Sequence, residues 1–285
     1  MIARRFAVPA VLLFIALIIR AEEPATTATK DISYKTGDGL SEYEQTRCKL
    51  DLYAPDKAKN LPVVVWFHGG GLTGGDKKGA EKLGRVLASE GLVFAAANYR
   101  LSPKATYPAY LEDAAAAVAW TIKHAGEYGG NAKQVFISGH SAGGYLTAML
   151  GTDERWLKAQ NIALADIAGL IPVSGQTLTH FTIRQERGIP KTTLIVDDAA
   201  PLYHARKDMP PMLILYAEKD MALRAEENVF YFAALKAAGN KQVTAKEIAG
   251  HDHGSIGEKM FQPADAGRAA LGEFVKQTAA VRVAP

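Results

Sequence analysis

Residues 135–143 read Val135-Phe136-Ile137-Ser138-Gly139-His140-Ser141-Ala142-Gly143, an apolar run that passes through a G-x-S-x-G string into the helix-forming stretch 142–150. A serine in that setting sits on a tight, strained turn from strand to helix, with its hydroxyl held away from the backbone. The glycines on either side leave room for the turn. Ser141 is therefore a candidate nucleophile, and the segment is one strand–turn–helix unit of a larger pattern.

Outward from it the pattern repeats. Strands are predicted at 49–54, 62–67, 92–97, 134–138, 167–173, 212–216 and 243–248, and helices at 79–90, 108–125, 142–150, 222–238 and 264–279. Short apolar runs alternating with helical segments predict an α/β domain: a doubly wound, mostly parallel sheet with helices on both faces. With 285 residues, 48% of them hydrophobic, the chain can bury one large core, and a single domain over 45–285 is expected. Residues 174–201 carry no clear helical pattern. They are expected to form a cap or substrate-facing insertion over the carboxyl ends of the strands.

Residues 1–21 combine a basic start, from Met1 to Arg5, with an apolar stretch over 6–19 and then Arg20-Ala21. This is the layout of a secretory signal peptide, and the apolar stretch is shorter than the roughly 20 residues that span a bilayer. Its removal would deliver a secreted or periplasmic protein, with membrane association expected only if the segment is kept. Residues 22–44 read as a spacer and N-terminal segment, disordered where it is Ala/Thr-rich, to about residue 30. The formal net charge of +3 comes from Arg4, Arg5 and Arg20, and the remainder of the chain is balanced. That balance excludes a nucleic-acid partner, which needs a concentrated basic excess. Cys48 is the only cysteine, so no internal disulfide forms. It reads as an inert thiol in an early strand, and no Cys/His spacing points to a metal.

A serine hydroxyl is a poor nucleophile until a base takes its proton, and a histidine oriented by a carboxylate is the best base near neutral pH. His251 and His253 flank Asp252 after the last predicted strand, and both are candidates. Asp220, beyond the strand at 212–216, is the candidate acid, with Glu218 as its rival. The order serine, acid, histidine along the chain suits this chemistry. His68-Gly69-Gly70-Gly71 ends the strand at 62–67 and exposes unhindered backbone N–H groups. Those of Gly70 and Gly71, joined by Ala142 at the start of the following helix, are candidate oxyanion donors. The phosphate-loop pattern G-x-x-x-x-G-K-[ST] is missing. Such chemistry needs no cofactor and no metal. Leu72 and Tyr145, with Trp156, are candidate substrate-pocket residues. His140 is expected to pack beside the site, Asp76, Glu112 and Asp113 to form salt bridges or caps, and Trp66 and Trp120 to lie in the core.

Leu50-Asp51-Leu52-Tyr53-Ala54-Pro55, the glycine run with Gly75-Asp76-Lys77 behind it, Asn98-Tyr99-Arg100-Leu101-Ser102-Pro103, Pro108 with Glu112-Asp113, and the run from Gly139 to Gly144 belong together. On these motifs the chain, over roughly residues 45–280, resembles the α/β-hydrolase superfamily. Within it, the likeness is to HGGG-type esterases and lipases and their BD-FAE-like carbohydrate-esterase relatives. The resemblance implies hydrolysis of short-acyl esters through an acyl-serine, with acetyl or feruloyl groups on polysaccharide as the implied substrates. It also implies that His68 anchors its own loop. It favours His253 over His251, because Asp252-His253-Gly254-Ser255 matches a D-H-x-S-like setting, although Gly254 stands where relatives often have Phe. Relatives with the same triad act as amidases, formamidases or exopeptidases. Others are non-catalytic binding modules, which typically lose a triad member or the oxyanion glycines; this chain keeps them all.

Overall fold

In the computed structural model, which describes residues 25–283, the described residues open with β1 (Thr26–Ser33), α1 (Glu42–Arg47), β2 (Lys49–Pro55), β3 (Leu61–Phe67), α2 (Glu81–Ser89) and β4 (Val93–Ala97). They continue through α3 (Ala109–His124), β5 (Gly130–His140), α4 (Ala142–Thr152), α5 (Arg155–Lys158), β6 (Ile167–Val173) and α6 (Phe181–Glu186). They close with β7 (Met212–Lys219), α7 (Arg224–Ala237), β8 (Val243–Asp252), α8 (Ser255–Glu258) and α9 (Ala266–Val283). Among the described residues these strands form one sheet in the order β1-β2-β4-β3-β5-β6-β7-β8. From β4 to β8 every pairing is parallel.

Alternation along the strands divides the core into two layers. Val63, Val65 and Phe67 of β3 join α3 and α4 in one cluster, with Leu111, Val118, Leu146 and Met149. Val64 and Trp66 face the other way onto α2 and α9, against Leu83, Leu87, Leu271 and Val275. The helices that cover each face end where the sequence says they should. α2, for example, stops before Gly91, whose φ of 89° lets Gly91 N–H and Leu92 N–H turn back to Ala88 O and Leu87 O.

Two expectations change. Residues 26–30 are not a disordered spacer but part of the edge strand β1, paired antiparallel to β2 from Thr26 opposite Pro55 to Ser33 opposite Lys49. An edge strand needs a backbone partner rather than a buried face, and most of the β1 side chains are exposed, so no apolar alternation announces it. Cys48 lies at the C-terminal cap of α1, not in a strand; it is buried, and burial pushes its thiol up to about 12. Helix α1 has a capping box in which Ser41 Oγ accepts from Glu44 N–H while Glu44 accepts from Ser41 N–H. That S-x-x-E signal was present in the sequence. The signal-peptide reading of residues 1–21 falls outside the described residues.

The N-terminal segment is tied to the sheet by charge. Asp113, fully buried on α3, accepts from Arg100 N, Nε and Nη2 at 2.9, 2.8 and 2.8 Å and also from Lys35 Nζ. Glu44 on α1 accepts from the same lysine at 3.0 Å. Removing the carboxylate takes the buried partner from two cations that keep only slight access to water and leaves them to share Glu44. Asp113→Ala is expected to cost roughly 2–4 kcal/mol in urea denaturation, whereas Glu81→Gln, which breaks the exposed Glu81–Arg85 pair, should change stability by about 0.5 kcal/mol or less.

Candidate active site

Parallel register decides which residues emerge together at the carboxyl edge of the sheet. Phe67 is opposite Gly139, His140 opposite Val173, and Lys219 opposite Asp252. The residues that follow, His68, Ser141, Ser174, Asp220 and His253, therefore leave the same edge of the sheet, with Asp220 and His253 farther out because Val173 is opposite Leu215.

Ser141 has φ 55° and ψ −113°, a strained conformation for a residue with a side chain. The turn is held by its N–H donating to Val173 O at 2.8 Å and by Tyr145 N–H returning to Ser141 O at 2.9 Å. Close approach of α4 to the end of β3 makes Gly143 obligatory: a Cβ there would lie 1.9 Å from Phe67 O.

His253 Nε2 is 2.9 Å from Ser141 Oγ, and His253 Nδ1 is 2.6 Å from Asp220 Oδ1. An ionised carboxylate only accepts, so Nδ1 carries the proton and donates to Asp220. Nε2 is then left with a lone pair for the serine hydroxyl. The Asp220 side chain is fully buried. Burial works against its charge, but hydrogen bonds from His253 and from Ser174 Oγ at 2.5 Å outweigh it and hold the carboxyl below its ordinary range. Ala217 N–H and Met221 N–H, at 3.2 and 2.9 Å, complete its set of donors. The rivals lie elsewhere: His251 Nε2 is 3.3 Å from Asp265, and Glu218 accepts from Gly250 N–H at 2.7 Å.

The glycine loop lies against the serine. A Cβ on Gly69 would come within 3.3 Å of Ser141 Cβ. Gly70 and Gly71 both have positive φ, 112° and 63°. Gly70 O is used by Thr73 N–H and Gly74 N–H, whereas among the described residues the N–H groups of Gly70 and Gly71 donate to no backbone carbonyl in the loop's turns. Ala142 opens α4, where helical N–H groups have no partner within the helix. His68 anchors the loop: its Nδ1–H donates to Gly69 O at 2.7 Å, its Nε2 accepts from Arg47 at 3.0 Å, and its ring stacks on Tyr99. Asp76, also paired with Arg47, caps the turn that follows.

Leu72 and Tyr145 do not line a substrate pocket. Both have no exposed surface and belong to the core. Leu72 turns its side chain inward at a positive φ of 61°, and the Tyr145 hydroxyl donates to Ala199 O at 2.9 Å beneath the segment after β6. Trp156 is also packed, edge-on to Tyr107. Sequence reasoning missed one residue that holds the site, Ser174, and gave a second, His140, its place beside the site but not its hydrogen bond. Ser174, with φ 47°, grips Asp220; its position directly after a buried strand was the available signal. His140 donates from Nε2 to the backbone carbonyl of His253 at 2.6 Å, fastening the loop that carries His253 to the residue beside Ser141. A cavity of about 320 Å³ opens next to this pair, lined by Trp66, His68, Gly70, Asp76, His140 and Phe261.

Residues 50–167 match the BD-FAE family. The chain is 28% identical over 213 residues to the probable carboxylic ester hydrolase LipM of Mycobacterium tuberculosis, a match that covers 68% of this chain and 49% of LipM. It spans about half the length of the curated relatives it matches. The propionate-bound thermophilic esterase Est2 of Thermogutta terrifontis aligns with a TM-score of 0.68 and 22% identity over 93% of this chain and 98% of that one. A truncated carbohydrate esterase from gut microbiota aligns with a TM-score of 0.72 and 19% identity over 90% of this chain and 98% of that one. The fold is the α/β-hydrolase fold.

Burial lowers the imidazoles of His68 and His140 from 6.5 to about 4, and that of His180 well below 6.5. The unfolded chain therefore binds more protons than the folded one between those values, and stability falls as pH drops from 6.5 toward 4. Each of the first two histidines should remove about 2 kcal/mol by pH 4.5. Urea midpoints measured from pH 7 to pH 4.5 should decline through this window, and a flat profile would contradict the buried neutral imidazoles.

Proposed function

We propose that this α/β-hydrolase-fold chain, similar over residues 50–167 to the BD-FAE family, is a serine carboxylic ester hydrolase. The reading is carried by one observation: His253 bridges Ser141 Oγ at 2.9 Å and the buried Asp220 carboxylate at 2.6 Å.

Ser141 Oγ attacks the ester carbonyl while His253 Nε2 takes its proton. Asp220 accepts from Nδ1 throughout and stabilises the imidazolium. Negative charge developing on the carbonyl oxygen is met by the N–H groups of Gly70, Gly71 and Ala142. His253 then gives its proton to the departing alkoxide, and the alcohol leaves an acyl-serine. Water, deprotonated by the same imidazole, attacks the acyl carbon; the acid departs and Ser141 regains its proton. Each side chain ends as it began, so one ester and one water yield one acid and one alcohol.

Short acyl groups are the proposed substrates, with acetyl or feruloyl esters of polysaccharide as the specific case. Propionate bound to the similar Thermogutta esterase and the carbohydrate-esterase character of the gut relative support this. The basic and apolar start of residues 1–21 supports a secreted or periplasmic place of work.

In a p-nitrophenyl ester series from acetate to octanoate, activity is expected to fall with acyl length. Ser141→Ala and His253→Ala should each lower kcat/KM by about 10³-fold or more, and an organophosphonate should label Ser141. Full activity in both variants would refute the assignment. Failure of a folded protein to take the label would favour the non-catalytic binding module.

A further inference from the structure

A second cavity, of about 470 Å³, lies between α6 and the start of α7. It adjoins the site through two of its walls. Phe181 lies so close to Gly71 that a Cβ there would be 2.9 Å from the ring, and Met221 directly follows Asp220. Leu178, Leu194 and Leu223 complete an apolar lining, and Leu194, Met221 and Leu223 are exposed at its rim.

Arg184, at 2% exposure, is the unusual member of this lining. Its Nη1 donates to the Thr193 carbonyl. Among the described residues its Nε has no partner and no carboxylate forms an ion pair with it. Glu227 also lines the cavity but is already engaged: Oε1 accepts from Arg224 Nε at 2.5 Å, and Oε2 accepts from the N–H groups of Thr177 and Leu178. A guanidinium withdrawn from water without a counter-charge is costly. With Nη1 occupied and Nε enclosed, Nη2 is the donor left to the cavity, and a carboxylate oxygen there would accept a charge-assisted hydrogen bond. Lys191 adds a second positive charge to the lining.

We propose that this cavity is a subsite for an ester substrate bearing a free carboxylate on an apolar spacer, with Arg184 receiving the carboxylate and Leu178, Phe181 and Leu194 covering the spacer. The proposal rests on the ester-hydrolase reading for its substrate, but the anion site can be tested without turnover.

Binding of hexanoate and of its neutral counterpart hexanamide to the intact protein is measured by titration calorimetry, beside kcat/KM for monomethyl adipate against methyl hexanoate. The charged member of each pair should be favoured by about tenfold or more. Arg184→Met should abolish the preference, and Arg184→Lys should retain part of it. Leu194→Glu, a rim substitution that leaves the core intact should Arg184→Met fail to fold, is expected to weaken hexanoate binding and spare hexanamide. Equal affinities in the unaltered protein, or a preference that survives Arg184→Met or is unmoved by Leu194→Glu, overturn the subsite. Carboxylate-selective binding without hydrolysis of any ester would overturn the substrate assignment and keep the anion site. Ester hydrolysis without carboxylate selectivity would overturn the subsite alone.

Discussion

Everything in the site depends on the parallel register of β3, β5, β6, β7 and β8. The ends stand level across β3, β5 and β6 and again across β7 and β8, which run on past Leu215, the partner of Val173, and the groups that must meet come from chain positions as far apart as 68 and 253. No local turn could bring them together. A slip of one residue in β7 against β8 would carry Asp220 away from His253 and turn the alternating side chains of the slipped strand to the opposite face. The same ladder that buries the core therefore sets the 2.6 and 2.9 Å distances between acid, base and serine.

The electrostatics follow from where that edge lies. Asp220 is deprived of water, yet four donors from β7, from the turn after it, from the residue after β6 and from His253 surround it. It stays ionised because these donors were oriented when the sheet formed and need not reorganise. The neighbouring buried histidines do the reverse. His68 and His140 are kept neutral by burial and serve as hydrogen-bonding struts, one for the glycine loop and one for the His253 backbone. Three histidines close to one another thus have different duties according to what surrounds each ring.

Much of this was legible from the residue pattern, for identifiable reasons. Central strands are continuous apolar runs because both faces are covered, and Gly139 to Gly143 announces its own turn. Ser141, Asp220 and His253, which meet in the structure, stand at or just beyond the ends of such runs. What was not legible depends on partners distant in the chain. β1 is defined by its pairing with β2 and not by its own side chains. Ser174 acquires its role from a carboxylate 46 residues away. Leu72 and Tyr145 are apolar and adjacent to motif residues, which makes a pocket role reasonable, but backbone direction turns both into the core. The segment 174–201, without periodicity, is nevertheless well packed in part, because Thr177, Thr179, His180 and Thr182 are buried through polar contacts that no hydrophobic count registers.

The direction of β1 has a practical consequence. Thr26 pairs with Pro55, and β2 runs against β4, so the chain enters the sheet at the amino ends of the parallel strands, opposite the edge where Ser141 emerges. Ala25 O accepts from Asp56 N–H at 2.7 Å and pins that entry point. Protein coupled to a resin or a sensor chip through residue 25 would stand with the Ser141 edge turned toward the liquid, and the linker would not have to pass it.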